Sequence, residues 1–176
     1  MSQASQHVRY LTRSAVLLAL AMSVQMLGLP QLITGSAVNA VLYMTALSAP
    51  PGYGVVVGAL TPVIALWRGI LAPAAAPLVP FIAVGNAILV LVFWLSQRPV
   101  AGFVARAGAW ALLSVLGVVL ASGLKAGFLA LAVARIVHVP DKLAAAMQWP
   151  QLFTALTGGV IVLILWPAVR SVLKRS

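Results

Sequence analysis

The sequence predicts an all-α membrane protein: one bundle of six transmembrane helices, with the N- and C-termini cytoplasmic. Three observations lead there. Of the 176 residues, 63% are hydrophobic and only 7% charged, too few polar side chains to cover a water-soluble fold. The apolar residues gather in six runs near the roughly 20-residue length that crosses a bilayer. Most Lys and Arg fall in the short segments between and beyond these runs, where they set orientation.

The first run covers 14–29. His7, Arg9 and Arg13 precede it and Ala19-Leu20-Ala21 lies inside it, a pattern that imitates a signal peptide. The apolar stretch continues to Leu29 and further spans follow, so an uncleaved helix is expected. Gly28-Leu29-Pro30 stops it. The second run, 33–49, is short and carries Thr34 and Asn39, which leaves a re-entrant segment as an alternative to a span. Pro50-Pro51-Gly52 ends it, and the third run, 55–71, opens with Gly54-x-x-x-Gly58, small residues that let another backbone approach. Pro62 should kink that helix. The prolines at 73 and 77 precede the fourth run, 78–95. The fifth, 110–133, and sixth, 152–169, are bounded by Arg98-Pro99 with Arg106 and by the segment from Arg135 to Pro150.

Charge parity favours six spans over five. Arg9 and Arg13 mark the N-terminus, and Arg170, Lys174 and Arg175 the C-terminus; with both ends cytoplasmic, the number of crossings is even. Arg98 and Arg106 then also lie inside. Arg135 and Lys142, the latter beside Asp141, lie outside. The length fits a single transmembrane domain over 1–176, and no internal repeat is evident.

Whole classes of function drop out. With no cysteine, thiolate metal sites, disulfides and cysteine nucleophiles are absent. The net charge of +10 serves topology and does not point to nucleic acid. No His and carboxylate pair, Ser-His-Asp set, metal-ligand cluster or phosphate-cradling glycine loop is visible, so neither an enzyme nor a cofactor is implied. His7 and His138 stand alone.

On the predicted map the polar residues collect in the outer half. Gln25, Gln31, Thr34 and Asn39 lie near the outer ends of the first two helices, Arg68 at that of the third, and Gln151 and Thr154 open the sixth. Asn86 sits near mid-membrane on the fourth. Lys125 lies roughly 22 Å along the fifth helix from Trp110, inside the membrane and past its middle. A central lysine costs roughly 2.5–3.5 kcal/mol on insertion scales and normally pairs, faces water or serves a function. The sole acid, Asp141, belongs to a loop, so an internal ion pair is nearly excluded.

Two readings of Lys125 remain: snorkelling to the outer headgroups, or an anion site. Helical spacing favours the second. Ser114, Gly117, Ala121, Lys125 and Phe128 share a face of small residues, which implies the bundle interior. Arg68 is a second candidate cation, with interfacial anchoring beside Trp67 as its alternative role. Asn39, Asn86 and Gln151, with Gln25 and Thr154, suit the polar parts of a ligand, or act as helix–helix glue.

Within the first helix, Ala15-Val16-Leu17-Leu18-Ala19 sets two alanines four apart at the cytoplasmic end. Together with Thr34-Gly35-Ser36-Ala37-Val38-Asn39-Ala40, Gly58-Ala59-Leu60-Thr61-Pro62 and Pro80-Phe81-Ile82-Ala83-Val84-Gly85-Asn86-Ala87, it makes most of the chain resemble the S components of energy-coupling factor (ECF) transporters. That resemblance implies a bacterial plasma-membrane protein that captures a vitamin or related micronutrient from the extracellular side. It implies docking, through Ala15 and Ala19, on a transmembrane coupling subunit driven by two ATPase subunits. The ligand-binding residues of that family vary with substrate. Few acids and no evident aromatic cage point to a small, largely apolar substrate bearing a carboxylate, such as lipoate, biotin, pantothenate or niacin. A self-contained solute facilitator and a non-transporting membrane scaffold are the alternatives.

Overall fold

Proline and glycine at the expected breaks divide the chain into helices, and the computed structural model, which describes residues 3–98 and 107–173, contains no strand among them. Arg106, Lys174 and Arg175, on which the charge reading partly relies, lie outside the described residues. The helices are α1 (Gln3–Met26), α2 (Gln31–Ser48), α3 (Pro51–Trp67), α4 (Val79–Ser96), α5 (Ala107–Arg135), α6 (Asp141–Ala146) and α7 (Trp149–Leu173). A 3-10 helix, Pro73–Leu78, leads directly into α4. Proline at the first or second position opens α3, the 3-10 helix and α4, where its missing N–H has no helical partner to lose.

Three segments are long and apolar enough to cross a bilayer: Pro73–Ser96, Trp110–Arg135 and Asp141–Leu173; α3 is apolar but shorter. Their surfaces agree with a lipid solvent. Along α5, Leu112, Leu116, Val119, Leu120, Leu124 and Leu131 are all exposed, a continuous apolar face that water would not tolerate. These features mark a membrane protein.

The helices and the apolar runs differ at their ends: α5 and α7 extend past their runs at both ends, whereas α1 stops at Met26 and α3 at Trp67, short of the expected 29 and 71, where Gly28 and Gly69 take positive φ. α1 begins at Gln3 and takes in Arg9 and Arg13, because an apolar run shows where a helix lacks polar groups and not where its backbone hydrogen bonds end. The connection from Arg135 to Trp149 contains the short helix α6, which six residues of Asp-Lys-Leu-Ala-Ala-Ala are too brief to announce by periodicity.

α2 is central, packing against α1, α3, α4 and α7, while α5 closes the other side on α4 and α7. Half of its residues are buried, which accounts for its mixed composition: an enclosed helix needs no lipid face. Gly158 of α7 sits so close to α2 that a Cβ there would meet the Ala40 nitrogen at 2.7 Å and the Ser36 oxygen at 2.8 Å. Below the middle of the bundle, Leu42, Tyr43, Leu89, Val90 and Phe93 are fully buried. Tyr43 meets Phe93 edge-on at 4.7 Å, and its hydroxyl lies 2.9 Å from Ser122 Oγ and 3.3 Å from the Val118 carbonyl oxygen.

Candidate functional site

Ser114, Gly117, Val118, Ala121, Ser122, Lys125 and Leu129 form the buried face of α5, so the lysine points into the bundle. Only 3% of it is exposed. Gly85 on α4 makes room for the stem, since a Cβ there would lie 3.5 Å from Lys125 Cγ.

The ammonium is held by two amides and by no acid. Lys125 Nζ donates to Asn39 Oδ1 at 2.6 Å and to Asn86 Oδ1 at 2.7 Å. Each amide is turned by the partner of its own NH2 group. Asn39 Nδ2 donates to Thr154 Oγ1 at 3.2 Å, and Thr154 spends its own hydrogen on the Gln151 carbonyl at 3.1 Å. Asn86 Nδ2 donates to the Gly58 carbonyl at 2.8 Å and to Thr61 Oγ1 at 3.4 Å.

That carbonyl is free for a reason written in the sequence: the residue four positions on is Pro62, which has no N–H to complete the helical bond. Gly58 also admits Asn86 itself, whose Cβ would lie 2.9 Å from a Cβ at position 58. The sequence suggested kinking and close packing for these two residues. In the structure they also act as an amide clamp, with Thr61 as the third member. Gly-x-x-Thr-Pro was the available signal, because a proline always orphans the carbonyl four residues earlier.

Lys125, Asn39, Asn86, Thr61, Gln25 and Gln151 all line one cavity of about 430 Å³. Gln31 and Thr34 also line it, and the remaining walls are apolar, among them Val38, Ile70, Leu71, Leu78, Ile82 and Met147. No acid and no aromatic ring lines it among the described residues. Three N–H groups belong to an ammonium, and two are used, so one remains for whatever fills the cavity. Buried polar groups are normally all satisfied.

Thr154 stands behind Asn39 and lines instead a second, apolar hollow of about 690 Å³ between α1, α2 and α7. Gln151 lies at the cavity with its NH2 group 3.8 Å from Met147 Sδ. Gln25 contributes a buried Oε1 without a hydrogen-bond donor.

Arg68 is not brought to this site. It caps the end of α3, exposed beside Trp67, and Gly69 with φ of 72° turns the chain away immediately after it. Ala15 and Ala19 are exposed on α1, where only Ser14 and Ala21 are buried. His7 pairs with the Tyr53 hydroxyl at 3.0 Å, and no group of three or more potential metal ligands converges among the described residues.

No protein-family model, curated protein or solved structure matches the chain. Its function is therefore read from the residues themselves.

Proposed function

We propose that this chain is the substrate-capture subunit of an ATP-driven importer of the ECF type. All six long helices cross the plasma membrane of a bacterium, with both termini cytoplasmic, and a small carboxylate-bearing micronutrient enters from the outside. One observation carries the reading: a buried ammonium, steadied by two neutral amide oxygens, has an N–H to spare at the wall of a cavity without acids. A charge in that setting is stabilised most by an opposite charge brought by the ligand.

A scaffold would gain nothing from such an arrangement, because apolar residues in place of the lysine would hold helices together at lower cost. A self-contained facilitator needs a path through the bundle, and the fully buried layer of Tyr43, Leu89, Val90 and Phe93 beyond Lys125 argues against that reading. The exposed pair Ala15 and Ala19 is available to a coupling subunit that would carry two ATPases. Catalysis has no part in the reading.

The test is ligand binding by purified protein against a panel of vitamins, read as thermal stabilisation. One carboxylate-bearing member should raise the melting temperature of the wild type and leave Lys125→Ala unmoved. Undiminished affinity in that variant sinks the proposal. Bulky replacements, Ala15→Leu with Ala19→Leu, should preserve binding and stop uptake in cells.

A further inference from the structure

A second hollow, of about 450 Å³, lies at the opposite ends of α1 and α2 from the Lys125 cavity, under the turn that joins α2 to α3. Tyr10 of α1, Ser48 and Pro50 of the turn, and Trp94, Gln97 and Arg98 at the end of α4 line it. Two guanidinium groups flank this hollow. Arg98 Cζ sits over the Trp94 ring, 3.7 Å from its centroid, a contact that holds the charge in place. Among the described residues no hydrogen bond takes its five side-chain N–H groups. Arg13, three residues on from Tyr10 and on the same side of α1, donates from Nη1 to the Ser48 carbonyl at 3.4 Å, which brings the second guanidinium to the rim.

Neither cation has an acidic side chain beside it. The only one in the chain, Asp141, opens α6. The balancing anion therefore comes from outside the chain, and the surroundings select its form. From Arg98, α4 leads back into the bilayer with Leu95 and Leu91 exposed, one and two turns away on the arginine's side of the helix. An aliphatic track thus begins at the rim. A soluble phosphate has no use for it, whereas an acyl chain lies along it. Trp94 and Tyr10 are residue types that favour the boundary between headgroups and hydrocarbon.

We propose, independently of the Lys125 reading, that this hollow binds the headgroup of one anionic phospholipid. The phosphate accepts from Arg98 and Arg13, and one acyl chain follows Leu95 and Leu91. Basic pockets between transmembrane helices recognise lipid headgroups in this way, and the planar fork of arginine matches phosphate oxygens.

Native mass spectrometry of the full chain, released from detergent micelles, tests this with phosphatidylglycerol and phosphatidylcholine that carry the same acyl chains. The first phosphatidylglycerol should bind more tightly than phosphatidylcholine by about tenfold or more, as two arginines together supply. Arg98→Gln and Arg13→Gln should each weaken phosphatidylglycerol about fivefold, the factor given by about 1 kcal/mol per arginine, and leave phosphatidylcholine unchanged. Arg135→Gln, which removes one charge at the far end of α5, should alter neither lipid. Equal losses of phosphatidylglycerol in Arg135→Gln and Arg98→Gln would show that net charge alone attracts the lipid, and the site would fall. Parallel losses of both lipids in Arg98→Gln, or equal affinities in the wild type, overturn it as well. Free glycerol phosphate competing as tightly as phosphatidylglycerol would make the occupant a soluble anion and end the lipid assignment.

Discussion

Lys125 is tolerated because its neighbours are oriented before it arrives. An asparagine beside an ammonium could present either end, and presenting NH2 would be repulsive. Thr154 and the Gly58 carbonyl remove that choice by claiming the NH2 groups of Asn39 and Asn86. It follows that Thr154→Val, which keeps the shape and deletes the acceptor, should cost about 0.6 kcal/mol and no more than about 1.7, the average and the maximum for interhelical hydrogen bonds in a membrane protein. Ligand affinity should fall with it, and Thr154→Ser should restore both in thermal melts and titrations. Full affinity in the valine variant would mean that Asn39 is fixed by other means. Lys125, Asn39 and Asn86 were legible in the sequence because polar groups inside apolar runs are costly wherever they sit. Which end of each amide meets the lysine was not, since that depends on residues 25 to 115 positions away across helix interfaces. Arg68 shows the converse: it has the right chemistry, but a helix end and a left-handed glycine direct it out of the cavity.

Between elements, glycines set the distances on which those bonds depend. Gly158 brings α7 onto α2 at the turn that carries Asn39, and a Cβ there would strike the Ala40 nitrogen, the Ser36 oxygen and Asn39 Cβ at 2.7–2.8 Å. Two of these are backbone atoms that no rotamer change can move. Gly158→Ala should therefore destabilise by about 1–3 kcal/mol, the usual cost of overpacking, and should weaken ligand binding by displacing Asn39. Gly123→Ala is the matched control, because nothing lies within 4 Å of its added methyl; helix propensity predicts a gain of up to about 1 kcal/mol. Unfolding in mixed micelles compares the two, and equal stability would show that the α2–α7 approach is slack. Helix positions and breaks followed from runs, prolines and glycines. Helix pairing did not, and neither did the burial of α2, whose Ser, Thr and Asn residues look ambiguous until four neighbours are seen to enclose it.

For the molecule as a whole, orientation decides which side the cavity serves. Short connections make successive long helices antiparallel, so Arg9 and Arg13 of α1, Arg98 after α4 and Arg170 of α7 gather at one end of the bundle. Arg68, Arg135 and Lys142 gather at the other, beside Asp141 and the mouth lined by Gln25, Gln31 and Gln151. The sequence adds Arg106, Lys174 and Arg175 to the first tally, and an excess of Lys and Arg belongs on the cytoplasmic side. With six crossings and both ends cytoplasmic, as proposed, the mouth faces outward, as the proposed importer requires. Because the chain has no cysteine, single cysteines report this without background. In intact cells a membrane-impermeant maleimide should label Lys142→Cys at once, and Gln3→Cys and Ser171→Cys only after permeabilisation. Labelling of Gln3→Cys and Ser171→Cys from opposite sides would require an odd number of crossings and remove one helix from the membrane. Protection of Lys142→Cys, with the two termini labelled from outside, would turn the cavity toward the cytoplasm, and capture from the exterior would fail with it.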